Sequence, residues 1–176
     1  MNQRIMLTKK LLKDSLTEIL QTQSIYHISI RELCEKAGIN RSTFYKYYGS
    51  QFDLLEEMEM DLLAATEHFL SQQTDLKDAM ILEQILKYLE ENIDFVRLLI
   101  NSNVDPAFAN KLFSLTPIQS MLKDIFESKS EPNEYEYTTN FLIHGAYQIV
   151  CMWLNKENRE SSEWMAQLLI NNIIKY

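Results

Sequence analysis

The stretch that most constrains the fold runs from Ser29 to Ser50, SIRELCEKAGINRSTFYKYYGS. Ser29 and Glu32 stand at capping-box spacing, which predicts a helix opening at Ile30 with Ile30, Leu33 and Cys34 on one face. Gly38 ends it, because the residue after a helix often needs a positive φ that glycine alone takes without strain. Ile39 plugs the turn, and Asn40 stands where its side chain can cap a second helix by accepting from the Thr43 N–H. That helix, predicted over 41–48, buries Phe44 and Tyr48 and carries Arg41, Ser42, Thr43, Tyr45, Lys46 and Tyr47 on its other face. Cations, hydroxyls and phenols on one helical face can meet phosphates and base edges together. This is the layout of a helix-turn-helix, in which the second helix enters the major groove.

The run GINRSTFYKYYGSQFDLLEEM also resembles the recognition helix and following turn of the TetR family of transcriptional regulators. The matching positions are Gly38, the triplet Thr43-Phe44-Tyr45, Lys46, the aromatic pair Tyr47-Tyr48, and Ser50. The resemblance covers roughly residues 8 to 60. One position departs from the pattern: Gln51 stands where members usually place a phosphate-binding Lys. The C-terminal segments DFVRLLINSNVDPAF, YEYTTNFLIHGAYQIVCMWLNKE and SSEWMAQLL more loosely resemble the TetR-like subgroup that includes an activator of dihydroxyacetone kinase operons.

Composition agrees with a helical reading. Three glycines and three prolines are too few for the turns of a β-rich chain, and a hydrophobic share of 46% can fill a core. The sequence pI of 4.9 disfavours a DNA binder until charge is divided by position. Residues 1–50 hold eight Lys/Arg against four Asp/Glu, and the remainder nine against 21. A basic head on an acidic body orients a molecule on a polyanion. The predicted architecture is all-α, with a three-helix helix-turn-helix DNA-binding domain over 1–50 and a helical effector-binding and dimerisation domain over 51–176.

Along the chain, an amphipathic helix from Arg4 to about Gln21 buries Leu12, Leu16, Ile19 and Leu20, with Lys9, Lys10 and Lys13 off that stripe. Ile25 and Tyr26 anchor the following bridge, and His27 lies on its surface. Ser50 and Asp53 mark a second cap, opening a long helix that buries Phe52, Leu55, Met58, Leu62, Ala65 and Phe69. Thr74 to Asn92 is predicted helical with Met80, Ile81, Ile85, Leu86 and Leu89 inward, and Asp94 caps a short helix, 95–101. A turn at 103–106, short helices to 127, and a loop at 128–133 lead to long helices over 134–155 and 162–174.

The last two helices have broad apolar faces, which predicts a four-helix interface with a second copy through Phe141, Gly145, Ile149, Trp153, Trp164 and Leu168. The resemblance implies the same mode of dimerisation. The effector pocket is expected among Phe69, Phe95, Leu99, Phe113, Met121, Phe141, His144, Tyr147 and Gln148, with the polar tips of His144, Tyr147 and Gln148 as its marker.

No glycine-rich phosphate loop or nucleophile elbow is present, and His27, His68 and His144 lack metal-ligand spacing, so no enzyme activity, cofactor or metal is expected. Cys34 and Cys151 are isolated and read as reduced core residues. Without a signal peptide or an apolar run of membrane length, the chain is expected to be cytoplasmic. These features, with the resemblance, imply a bacterial homodimeric repressor on a palindromic operator, released or reset by a small-molecule effector. Arg41, Ser42 and Thr43 would read bases, and Tyr45, Lys46 and Tyr47 would hold phosphates with Ser29 and the amides of its helix. A regulator or activator switched by a protein partner is the alternative, and an interaction module without DNA binding is a third class.

Overall fold

The computed structural model describes residues 3–71, 78–101, 108–116, 118–120, 123 and 134–174. The elements are α1 (Gln3–Leu20), a 3-10 turn (Ile25–His27), α2 (Ile30–Ala37), α3 (Arg41–Phe44), α4 (Gln51–Ser71), α5 (Asp78–Glu91), α6 (Ile93–Asn101), α7 (Phe108–Phe113), α8 (Tyr135–Asn155) and α9 (Ser162–Ile174). The chain divides into two compact units, Met1–Leu62 with Leu98–Asp105, and Leu63–Arg97 with Pro106–Tyr176. The first unit thus runs past residue 50 and takes in the opening turns of α4.

In the first unit α1 packs on α2 and α2 on α3. Leu12, Leu16, Ile25, Leu33, Phe44 and Leu54 lose all contact with solvent there. Burying a side chain of this size contributes roughly 1.5–3 kcal/mol, so the unit is held chiefly by this cluster. Gly38 follows α2 at φ 66°, and the Ile39 N–H closes the turn on the Cys34 carbonyl at 2.9 Å. The Ser29 hydroxyl accepts from the Glu32 N–H at 3.1 Å. The Glu32 carboxylate accepts from Gln23 Nε2 at 2.6 Å, a bond to the bridge outside the helix. Asn40 caps α3 differently from the expectation: its side chain makes no cap bond, and its backbone carbonyl accepts from Thr43 N–H at 2.8 Å. The Gly49 amide and the Ser50 hydroxyl both donate to Asp53, at 2.8 and 2.6 Å. The Ser50 hydroxyl, then the Gly49 amide, hold that carboxyl below the usual carboxylate range and fix the start of α4.

Two aromatic positions depart from the sequence reading. Tyr26 and Phe52 are exposed, with ring centroids 5.4 Å apart on the surface. The buried row of α4 is Leu54, Leu55, Met58, Leu62, Thr66 and Leu70, which leaves Phe52 at the helix mouth.

In the second unit α9 lies along α5. Ile85, Leu86, Leu89, Trp153, Leu154, Met165, Leu169 and Ile170 form its core, whereas Met80 is exposed. Asn92 stands ahead of α6 and its carbonyl accepts from Val96 N–H, so Asp94 belongs to the first turn instead of the cap. The link between α8 and α9 is fastened at several points. Arg97 Nε donates to the Leu154 carbonyl at 2.8 Å, satisfying an orphan acceptor at the C-terminus of α8. Arg159 pairs with Glu90 at 2.8 Å, and Trp153 Nε1 donates to the Glu160 carbonyl at 2.8 Å. Ser161 caps α9 through Trp164 N–H at 3.2 Å.

Trp153 is therefore a core residue of the second unit, 1% exposed, where the sequence reading had it at an interface. The turn at 103–106, the loop at 128–133 and Met121 lie outside the described residues.

Candidate nucleic-acid interface

Local sequence sets the shape of the reading element. α3 is a single regular turn, and the chain then tightens: Tyr45 N–H still bonds to Arg41 O, but Lys46 and Tyr47 N–H bond three residues back, to Thr43 and Phe44. The expected helix over 41–48 is therefore half regular, ending in turns that carry the chain into the Gly49-Ser50 corner. Phe44 is fully buried and Tyr48 is 3% exposed, and both anchor the element. Their rings pack 5.5 Å apart.

Arg41, Ser42, Tyr45 and Lys46 are exposed, and Thr43 and Tyr47 are half-buried. The Tyr45 ring rests edge-on against Phe44 at 5.6 Å while its outer part stays in solvent. Ser29 is exposed at the first turn of α2, its hydroxyl already engaged as the cap. A shallow hollow lined by Arg31, Cys34, Glu35, Gly38, Ile39, Asn40 and Arg41 separates α2 from α3. Burial pushes the Cys34 thiol up, against the opposing effect of Arg41, so the thiol stays protonated. Gln51 turns inward, its amide donating to the Ile25 carbonyl at 3.4 Å.

Six of the eight cations in residues 1–50 fall into two sets. Lys9 reaches Glu57 at 2.6 Å, and Lys13 reaches Glu57 at 2.7 Å and Asp61 at 2.5 Å. Lys36 pairs with Glu18 and Arg31 with Glu35, both at 2.7 Å. Arg41 and Lys46, by contrast, make no ion pair among the described residues. Apart from Lys10, which is exposed on α1 without an ion pair among the described residues, the paired cations lie away from the reading face and the unpaired ones on it, as suits a polyanion-binding surface.

Sequence reasoning missed the Lys9, Lys13, Glu57, Asp61 cluster. Its signal is legible in retrospect: two lysines four apart on α1 oppose two carboxylates four apart on α4. Burial pushes the Glu57 carboxyl up, but the hydrogen bonds from Lys13 and Lys9 outweigh it and hold it below the usual range. Burial likewise opposes the charge on Lys13, and Asp61 and Glu57 overcome it and raise its pKa. Tyr48 donates its hydroxyl to Glu57 at 3.1 Å, and burial is the main cause of its raised pKa.

The described residues among those expected at the pocket differ in burial. Phe141, His144 and Gln148 sit on the exposed face of α8, which removes the polar marker from any enclosed site. Tyr147 is half-buried, its ring edge-on to Phe113 at 5.9 Å. Phe69 is stacked with Tyr88 at 6.5 Å, Phe95 is half-buried, and Leu99 is buried in the first unit. Among the expected interface residues, Phe141, Gly145, Ile149 and Trp164 are exposed and Leu168 is half-buried. Among the described residues no cluster of His, Cys, Asp and Glu could hold a metal ion, and no helix is long and apolar enough to cross a membrane.

Comparison with known proteins agrees with this geometry. The model of bacterial regulatory proteins of the tetR family matches residues 14–58, and a TetR-type transcriptional regulator C-terminal region matches residues 79–175. The uncharacterized HTH-type transcriptional regulator YxbF of Bacillus subtilis is 25% identical over 88% of this chain, which spans 42% of that protein's length. The HTH-type dhaKLM operon transcriptional activator DhaS of Lactococcus lactis is 23% identical over 75% of this chain and 67% of its own. A TetR transcriptional regulator from Streptococcus agalactiae shares the fold at TM-score 0.76 and 24% identity, over 97% of this chain and 96% of its own. With one model on the helix-turn-helix and the other on more than half the chain, the protein belongs to the TetR family of transcriptional regulators.

Proposed function

We propose that the protein is a cytoplasmic homodimer that binds a palindromic operator and represses transcription until a small molecule binds its second unit. Residues 1–50 make the DNA contacts in this reading, and 51–176 carry dimerisation and the effector. Arg41, Ser42 and Thr43 read base edges in the major groove. Tyr45, Lys46 and Tyr47 hold phosphates, with Ser29 and the first amides of α2 assisting. Half-sites then lie about one helical turn apart. The observation that carries the reading is the uncompensated charge of Arg41 and Lys46 beside the exposed Tyr45, on an element anchored by buried Phe44.

Support for the dimer comes from α8. Tyr137, Phe141, Ile149 and Met152 are exposed at helical spacing, and Trp164 of α9 is 49% exposed. A Cβ built on Gly145, in the middle of that row, would meet nothing within 4 Å. An apolar row around an open glycine suits close approach of a second helix. The effector would sit among the half-buried aromatics of the second unit, Phe69, Phe95, Phe113 and Tyr147. That DhaS is a transcriptional activator favours a second reading, in which the same dimer activates, switched by a ligand or by a protein partner.

Selection of bound duplexes from a random pool tests the main reading. A two-fold symmetric consensus is expected, and no enrichment at low salt would overturn it. On the selected duplex, Lys46→Ala should weaken binding to all sequences alike and flatten the salt slope by about one.

A further inference from the structure

The proposed DNA reading leaves one carboxylate unexplained, and this inference rests on that reading. Glu57 lies on α4, outside the reading element, yet receives three donors: Lys9 Nζ at 2.6 Å, Lys13 Nζ at 2.7 Å and the Tyr48 hydroxyl at 3.1 Å. Lys9 also stands 5.4 Å from the Tyr48 ring centroid and 6.0 Å from that of Tyr47, a half-buried member of the reading face. The ammonium therefore lies at the edge of the surface that would meet a duplex. We propose that Glu57 is a positioning and specificity residue for DNA recognition: it fixes Tyr48 at the foot of the reading element and withholds the α1 lysines from phosphate.

A lysine at the rim of a DNA-binding face adds affinity for any sequence, because every duplex offers the same phosphates. Neutralising it inside the protein removes that affinity from every duplex alike, so the ratio of operator to random binding rests on the other half of the device, the hold on Tyr48 that shapes the reading element. Glu57 makes that neutralisation with the same carboxylate that holds Tyr48. Asp61, 64% exposed, retains Lys13 when Glu57 is removed, so the two carboxylates release the lysines in steps.

The test is the salt dependence of binding to a short mixed-sequence duplex, followed by fluorescence anisotropy in a sodium chloride titration. Glu57→Gln should steepen the slope of log K against log salt by about 0.9, and Glu57→Gln with Asp61→Asn by about 1.8, one phosphate for each freed lysine. Adding Lys9→Gln to Glu57→Gln should return the slope to the parent value. The ratio of operator to mixed-sequence affinity, measured on the selected duplex, should fall about tenfold in Glu57→Gln. Tyr48→Phe, which removes only the hydroxyl bond, should lower operator affinity with an unchanged mixed-sequence slope. An unchanged slope in folded Glu57→Gln, or equal weakening on both duplexes, would overturn the proposal and leave Glu57 as a stability residue. Should Glu57→Gln fail to fold, Lys9→Gln in the parent is expected to leave the mixed-sequence slope unchanged, because a withheld lysine makes no phosphate contact, and a slope flattened by about 0.9 would overturn the proposal. Failure of the parent protein to bind any duplex is a separate outcome, which defeats the DNA reading itself.

Discussion

α3 and α8 are both amphipathic, and they turn opposite faces to solvent. α3 hides Phe44 completely and exposes Arg41, Ser42 and, just beyond its end, Tyr45 and Lys46. α8 hides Trp153 and Leu154 near its end and exposes Tyr137, Phe141, Ile149 and Met152 along its length. One helix shows solvent unpaired positive charge, which water hydrates but which a polyanion binds with release of its counterions, and the other shows apolar area, which water solvates poorly. The difference says what each lacks. A polyanion completes the first, and another apolar helix face completes the second.

The largest perturbation of this contrast is Phe141→Asp. Putting a carboxylate at the centre of the α8 row should dissociate the proposed dimer, read as a shift to monomer mass by sedimentation, with operator binding lost as well. A wild-type protein that sediments as a monomer at micromolar concentration would break the contrast outright. Next come neighbouring aromatics with opposite roles. Phe44→Ala should cost about 3–5 kcal/mol of unfolding free energy, as for other buried phenylalanines. Tyr45→Ala should leave the melting temperature nearly unchanged and abolish operator binding; a large melting drop would place Tyr45 in the core instead.

Smaller effects probe the frame of the reading unit. Gly38→Ala meets no steric obstacle, because nothing lies within 4 Å of the added Cβ, but it must hold φ at +66°. The expected loss is about 1–2 kcal/mol by chemical denaturation. The smallest effect is on acid stability. Glu57 has its carboxyl held below its ordinary value of 4.5, so its contribution is complete above that pH and lost as pH falls through the folded value. Melting temperature should decline on acidification through that window, and Glu57→Gln should flatten that part of the profile.

Local chemistry made the head of the molecule legible. A glycine at a helix end, a serine before an apolar period and a buried Phe between exposed polar residues each carry a short-range physical reason, and Gly38, Ser29 and Phe44 sit where those reasons put them. The tightened end of the reading element was less legible, because the Lys46 and Tyr47 amides bond three residues back before Tyr48 returns to four. Periodicity misplaced Phe52 because a residue in the first turn of a helix can fall beyond the edge of the core it points toward. It misplaced Trp153 because an apolar helix near its C-terminus gives no signal separating its own core from a partner's face. That side chain is drawn inward by the Glu160 carbonyl, from a loop whose course the sequence does not announce.

The two tryptophans consequently act as built-in optical probes of different events. The Trp153 indole donates to a carbonyl, lies 5.8 Å from the Arg159 guanidinium and is shut off from water, so its emission should be blue and change only on melting. Trp164 of α9 is half open to solvent, so its emission should be red in the monomer and shift to shorter wavelength if self-association covers it. Replacing either with phenylalanine separates the two signals and gives a label-free way to follow assembly apart from denaturation.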